Sequence, residues 1–81
     1  MHRVYFDGND QTEGYLYGLW LNKSKEDLAK IPGGPVEGMT VTIYMTSEIE
    51  MEATLEWNKK WRTWTARPVE HTIRPNNEVW D

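Results

Sequence analysis

The chain has 81 residues, and nine Lys and Arg against 13 Asp and Glu give it a formal net charge of −4. One domain with one small core fits that length, so five Trp, four Tyr and four Met must supply much of the buried bulk. The absence of Cys excludes disulfide staples and, with only two His, a Cys/His zinc cage; no run approaches the ~20 apolar residues of a membrane span, and a negative surface disfavours nucleic acid.

From the N-terminus, His2 to Asp7 alternates Val4 and Phe6 with Arg3, Tyr5 and Asp7, the period of a half-buried strand. The strand stops at the turn formers Asp7-Gly8-Asn9-Asp10. Met1 to Asp7 lacks the basic and apolar regions of a signal peptide, so a cytoplasmic protein with no membrane partner is the expectation. Tyr15 to Leu21 reads as a second strand that is apolar on both sides. Tyr15, Tyr17, Leu19 and Leu21 share one face; Leu16 and Trp20 share the other, interrupted by Gly18. Such a strand is either covered by another element or open to a partner, a second copy of the chain included.

Ser24 suits the N-cap of a two-turn helix over Lys25 to Lys30, with Glu26 and Asp27 in the first turn and Lys30 in the last. Leu28 and Ile31 give it one apolar edge, and Pro32 followed by Gly33-Gly34-Pro35 ends it. Gly38 then stands just before the next strand, where a barrel corner bends sharply.

Val41 to Arg67 carries the most regular alternation. Val41, Ile43 and Met45, then Ile49, Met51, Ala53 and Leu55, then Trp64 and Ala66 are the expected inward positions of three antiparallel strands. If Met45 and Ile49 bracket the loop Thr46-Ser47-Glu48, Ile43 faces Met51 and Val41 faces Ala53, so every inward residue meets another. For the next hairpin, a three-residue loop, Asn58 to Lys60, turns Trp64 to water. A four-residue loop, Asn58 to Trp61, sets Trp64 against Leu55, Ala66 against Ala53 and, outside, Arg67 against Glu52. Burying a Trp outweighs cross-strand pairs of ~0.2 to 1 kcal/mol each, which favours the four-residue loop. Pro68 ends that strand, Val69 to His71 suits a 3₁₀ turn, Thr72-Ile73-Arg74 suits a short closing strand, and residues 76–81, with Trp80, suit a frayed tail.

Together these elements predict a mainly β, single domain over residues 1–81, a small five-stranded antiparallel barrel with one short helix. Between Val36 and Arg74 the architecture resembles SH3-like barrels. The Ala-Leu-Tyr-Asp-Tyr segment and Trp-Trp pair of SH3 domains are missing, so their proline-rich ligand does not carry over. An OB-like barrel is the nearest rival.

No pattern points to catalysis or to a cofactor. Glu70 and His71 are adjacent and would diverge on a strand; Ser24 and Ser47 fall at a helix cap and a hairpin tip. Asp7, Asn9, Gln11 and Glu13 alternate oxygen ligands, but the glycine and bidentate Glu of a calcium loop are not in place, and turn chemistry accounts for them without a metal. Glu48, Glu50, Glu52 and Glu56 read as a solvated sheet face in which Glu52 pairs with Arg67 and Glu48 and Glu50 stay unpaired. Trp57, Trp61 and Arg62 gather around Asn58-Lys59-Lys60, and Trp and Arg dominate binding hot spots. The bland alternative is a lid, with Arg62 stacked on Trp57 and Trp61 folded over the barrel. The functional expectation is a non-catalytic module that binds a protein partner, or itself, through Trp61, Trp57, Arg62, Tyr44 and Trp20. The alternative is a single-stranded nucleic-acid binder using Lys59, Lys60 and Arg62 beside the indoles.

Overall fold

The computed structural model describes residues 1–76. In chain order it contains β1 (Arg3–Tyr5), a 3₁₀ turn (Glu13–Tyr15), β2 (Tyr17–Gly18), α1 (Asn22–Ala29), β3 (Thr40–Met45), β4 (Ile49–Asn58), β5 (Thr63–Pro68) and β6 (Arg74–Pro75). All strands belong to one curled, half-barrel sheet of order β1-β3-β4-β5-β2, with β6 added beside the first residues of β4. The five-stranded antiparallel expectation is corrected on two points: among the described residues there are six strands, and β1 runs parallel to β3. The connection between them, which carries β2 and α1, is long enough for the crossover that a parallel pair requires.

Val4 and Phe6 of the first strand region, Val41 and Ile43 of β3, Met51, Ala53 and Leu55 of β4 and Ala66 of β5 form the core. Leu19, Leu28 and Ile31 close it from the β2 and α1 side. The first hairpin has the expected register, with Met45 opposite Ile49, Ile43 opposite Met51 and Val41 opposite Ala53. At its tip Ser47 takes a left-handed φ of 61°, and the Glu48 amide donates to the Met45 carbonyl at 3.1 Å.

The second hairpin keeps the expected faces but not the expected pairs. Trp64 lies opposite Trp57, not Leu55, and Leu55 lies opposite Ala66. The strand is thus displaced by two residues, and the loop covers residues 59–62. A shift of two leaves every side chain on its original face, so Ala66 is buried and the partly buried Trp64 packs on the core as the alternation requires.

Ser24 does not cap the helix. It lies inside α1, fully buried, and its hydroxyl donates to the Tyr5 carbonyl at 2.6 Å. The Tyr5 amide in turn donates to Asp27 Oδ2 at 3.0 Å. Two side chains of α1 therefore satisfy the outward backbone groups of β1, a common device for protecting an edge strand. At the opposite edge β2 is shorter than expected, because Gly14 and Tyr15 are left-handed, with φ of 75° and 65°, and turn the chain back. Gln11 then bridges to Tyr17, and the Gly18 amide donates to the Asp10 carbonyl at 2.8 Å.

After β5, residues 69–71 form a turn that is not 3₁₀, and β6 falls at Arg74–Pro75 with Ile73 exposed. Asn76 is buried: its amide donates to Glu48 O at 3.1 Å and its side chain to Met45 O at 3.1 Å. The expectation for Trp80 lies outside the described residues.

Candidate functional site

The β4–β5 hairpin carries the aromatic residues singled out above, and its turn is fixed by side-chain hydrogen bonds. The Trp61 amide donates to Asn58 Oδ1 at 2.9 Å, and Arg62 completes the loop with a left-handed φ of 51°. The Trp57 amide donates to Glu37 Oε1 at 2.8 Å, tying the strand to the segment before β3. Sequence reasoning passed over Glu37, because its reach to β4 depends on the corner at Gly38, whose φ is 82° and whose amide donates to Leu55 O at 2.8 Å.

The four indoles of the described residues form two pairs on opposite sides of the hairpin. Trp57 and Trp64 are cross-strand partners on the inner face, edge to face with centroids 5.4 Å apart. Trp20 and Trp61 meet on the outer face at 6.0 Å. Gly18 makes that second pair possible. It sits opposite Thr65, and a Cβ at Gly18 would come within 1.9 Å of the Trp20 ring. The indole therefore occupies the space a side chain would fill, which also accounts for the complete burial of Thr65 on the outer face.

Trp57 and Trp61 nevertheless remain 44% and 54% exposed. Lys60, rather than Arg62, supplies the cation near the loop indole, its Nζ lying 5.8 Å from the Trp61 ring and 3.3 Å from Glu13 Oε1. Trp61 rests against Trp20, not over the barrel end, and Arg62 is exposed beside it.

Tyr44 does not join this surface. It is 6% exposed, its hydroxyl donates to Asp27 Oδ2 at 2.9 Å, and the Arg3 guanidinium lies 4.6 Å from the centre of its ring. Burial, and then the bond to Asp27, raises the Tyr44 phenol above its ordinary value. Asp27 also accepts from Lys23 Nζ at 3.1 Å, which holds the Lys23 ammonium above the usual range. From the sequence Asp27 and Lys30 read only as charges suited to the helix dipole; the ion pairs of Asp27 with Lys23 and Lys30 come from a helix that starts earlier, at Asn22, and the burial of Asp27 depends on β1 packing against α1.

The carboxylate row is more engaged than expected. Glu50 lies opposite Tyr44 and, against expectation, is not unpaired: it receives Arg3 at 3.4 Å and Arg74 at 2.7 Å. Arg67 pairs with Glu56 and not with Glu52, a consequence of the two-residue displacement. Glu70 and His71 share an exposed turn, with His71 Nε2 4.0 Å from Glu70 Oε2. Asp7 Oδ1 accepts from the Asn9 amide at 2.9 Å, Gln11 bridges to Tyr17 and Glu13 meets Lys60, so this row is divided among three separate contacts.

Among the described residues no three His, Cys, Asp or Glu side chains are grouped to hold a metal ion, and no helix is long and apolar enough to cross a membrane. Comparison with family models, curated proteins and solved structures gave no match.

Proposed function

We propose that this chain is a non-catalytic interaction module, built on an SH3-like curled sheet, that binds a protein partner in the cytoplasm through the β4–β5 hairpin. The observation that carries the reading is the exposure of Trp57 and Trp61 on a turn whose backbone is held by Asn58 and Glu37. With roughly half an indole open on each, covering both would contribute on the order of 4 kcal/mol at the usual rate for apolar area. Because the loop is already ordered, little conformational freedom is lost on docking. Trp20 supports Trp61 from behind, and Arg62 supplies a charged rim.

A second copy of the chain is one form this partner can take, through the indoles rather than the sheet edges. The outward groups of Tyr5 and Gly18 are bonded to Ser24, Asp27 and Asp10, which leaves these positions poorly suited to strand addition. The single-strand nucleic-acid reading loses support from Lys60, whose charge is taken up by Glu13.

The test compares wild type with Trp61→Ala, Trp57→Ala and the control Val36→Ala. Sedimentation velocity over a wide concentration range reads self-association, and cross-linking followed by mass spectrometry reads other partners. The proposal expects a defined complex that both Trp variants lose and Val36→Ala retains. A complex indifferent to both indoles contradicts it, as does labelled single-stranded DNA binding at low salt in a manner that depends on Trp61.

A further inference from the structure

The tip of the β4–β5 hairpin reverses the sign of the molecule. Residues 58–62 read Asn-Lys-Lys-Trp-Arg, three cations and no carboxylate, in a chain of net charge −4. Lys60 is compensated, since its ammonium lies 3.3 Å from Glu13 Oε1. Lys59 and Arg62 are not: both are exposed, and among the described residues neither side chain has a hydrogen-bonding or ion-pairing partner. Arg67 on the same hairpin shows the contrast, for Glu56 holds it. Glu37 also reaches this hairpin, but its Oε1 accepts from the Trp57 amide. Two uncompensated cations therefore flank the exposed Trp61 along the loop.

The turn itself does not call for an arginine. Arg62 has a left-handed φ of 51°, where Gly or Asn sits with less strain. An Arg kept at such a position, with no partner for its guanidinium among the described residues, points to a role outside the fold.

Resting on the proposed use of this hairpin as the binding surface, we infer that its partner is an acidic protein segment built around an apolar anchor. The anchor covers Trp61, and flanking Asp or Glu carboxylates take Arg62 bidentately and Lys59 as a point charge. Apolar contact supplies area, and the ion pairs supply specificity. The charge of the whole chain does not oppose this, because exposed charges farther apart than ~8 Å are largely screened at physiological salt. A second copy docked tip to tip is disfavoured, since two-fold symmetry sets the cations of one copy against those of the other. Single-stranded nucleic acid is disfavoured as well: Trp57 and Trp61 are exposed on opposite sides of the hairpin and offer no continuous platform for successive bases.

Peptides selected from a random display library on the wild-type protein, then resynthesised and titrated at low and high salt, test this. The selected sequences should be enriched in Asp and Glu around an apolar residue, bind more weakly as salt rises, and lose binding to Trp61→Ala. Arg62→Asn should weaken binding about tenfold and Lys59→Gln about threefold, as loss of charge-assisted contacts implies. Arg62→Lys should lose less than Arg62→Asn, and Arg62→Asn should melt no lower than wild type. Trp61-dependent peptides without acidic enrichment, or bound equally by Arg62→Asn, would overturn the inference and leave the hairpin reading standing. Should no selected peptide depend on Trp61, the hairpin reading falls and this inference with it. Melting of Arg62→Asn well below wild type would return Arg62 to a structural role and overturn the inference, as would displacement of the peptides by oligothymidylate or a Trp61-dependent dimer in sedimentation of the protein alone.

Discussion

The two hairpins of the sheet share β4 and differ in what holds their register. In the first, the loop at residues 46–48 is bracketed by Met45 and Ile49, and apolar residues face each other at every inner-face pair. In the second, the same alternation runs into a turn that contains Trp61 and is flanked by the paired Trp57 and Trp64, and the alignment settles two residues from the one that puts Trp64 against Leu55. Alternation fixes which face a side chain takes; it does not separate alignments that differ by two. Selection falls to local contacts: the Trp57 and Trp64 rings meet edge to face, Asn58 accepts from the Trp61 amide, and Trp61 finds Trp20. Edge-to-face pairs contribute about 0.5 to 1.5 kcal/mol beyond area, enough to decide between alignments of similar burial.

The largest expected effect lies where the hairpins join. Leu55 is fully buried on β4, and Leu55→Ala should cost about 3 kcal/mol by urea denaturation. A cost typical of surface positions would mean that β4 is not the common core strand. Gly18→Ala addresses the second hairpin from its outer face. The added methyl collides with the Trp20 ring, so a loss of about 2 kcal/mol and altered tryptophan fluorescence are expected. Unchanged stability and fluorescence would place Trp20 elsewhere.

The first hairpin is probed through Tyr44. Tyr44→Phe removes a buried hydroxyl from Asp27 and should cost about 1.5 kcal/mol at neutral pH. The pH dependence has a definite sign. The folded phenol and the Lys23 ammonium both hold their protons more tightly than their ordinary values of 10.0 and 10.5. Their contributions are complete below those values and are lost as pH rises through the folded ones. Thermal melts from pH 7 to 11 should therefore show an alkaline decline that is shallower in Tyr44→Phe; parallel declines would contradict the assignment. Smallest is Trp61→Ala, exposed and in a loop, which should change stability by less than about 1 kcal/mol while abolishing the proposed association.

The same contrast marks what the residues disclosed beforehand. The strand faces from Val41 to Ala66, the burial of Val4 and Phe6, and the apolar edge of Leu28 and Ile31 follow from periodicity, because water sorts side chains by face wherever one side is dry. The parallel placement of β1, the role of Ser24 and the burial of Asp27 depend on which element packs beside which, and no local spacing carries that. At the site, the sequence singled out Trp57 and Trp61 but left exposed anchors and a folded lid both open, whereas Tyr44 was misplaced because the outer face of β3 is covered by α1 and Arg3. Trp20 was ambiguous by alternation, and Gly18 resolves it by leaving the space its ring fills.

The pairing of Trp57 with Trp64 and of Trp20 with Trp61 bears most directly on the whole account, and nuclear Overhauser contacts between side chains measure it. The structure requires contacts from Trp57 to Trp64 and from Trp20 to Trp61 in the free protein. Contacts from Trp64 to Leu55 across the strands, with none between Trp20 and Trp61, would return the hairpin to the other alignment and remove the support beneath the proposed binding surface.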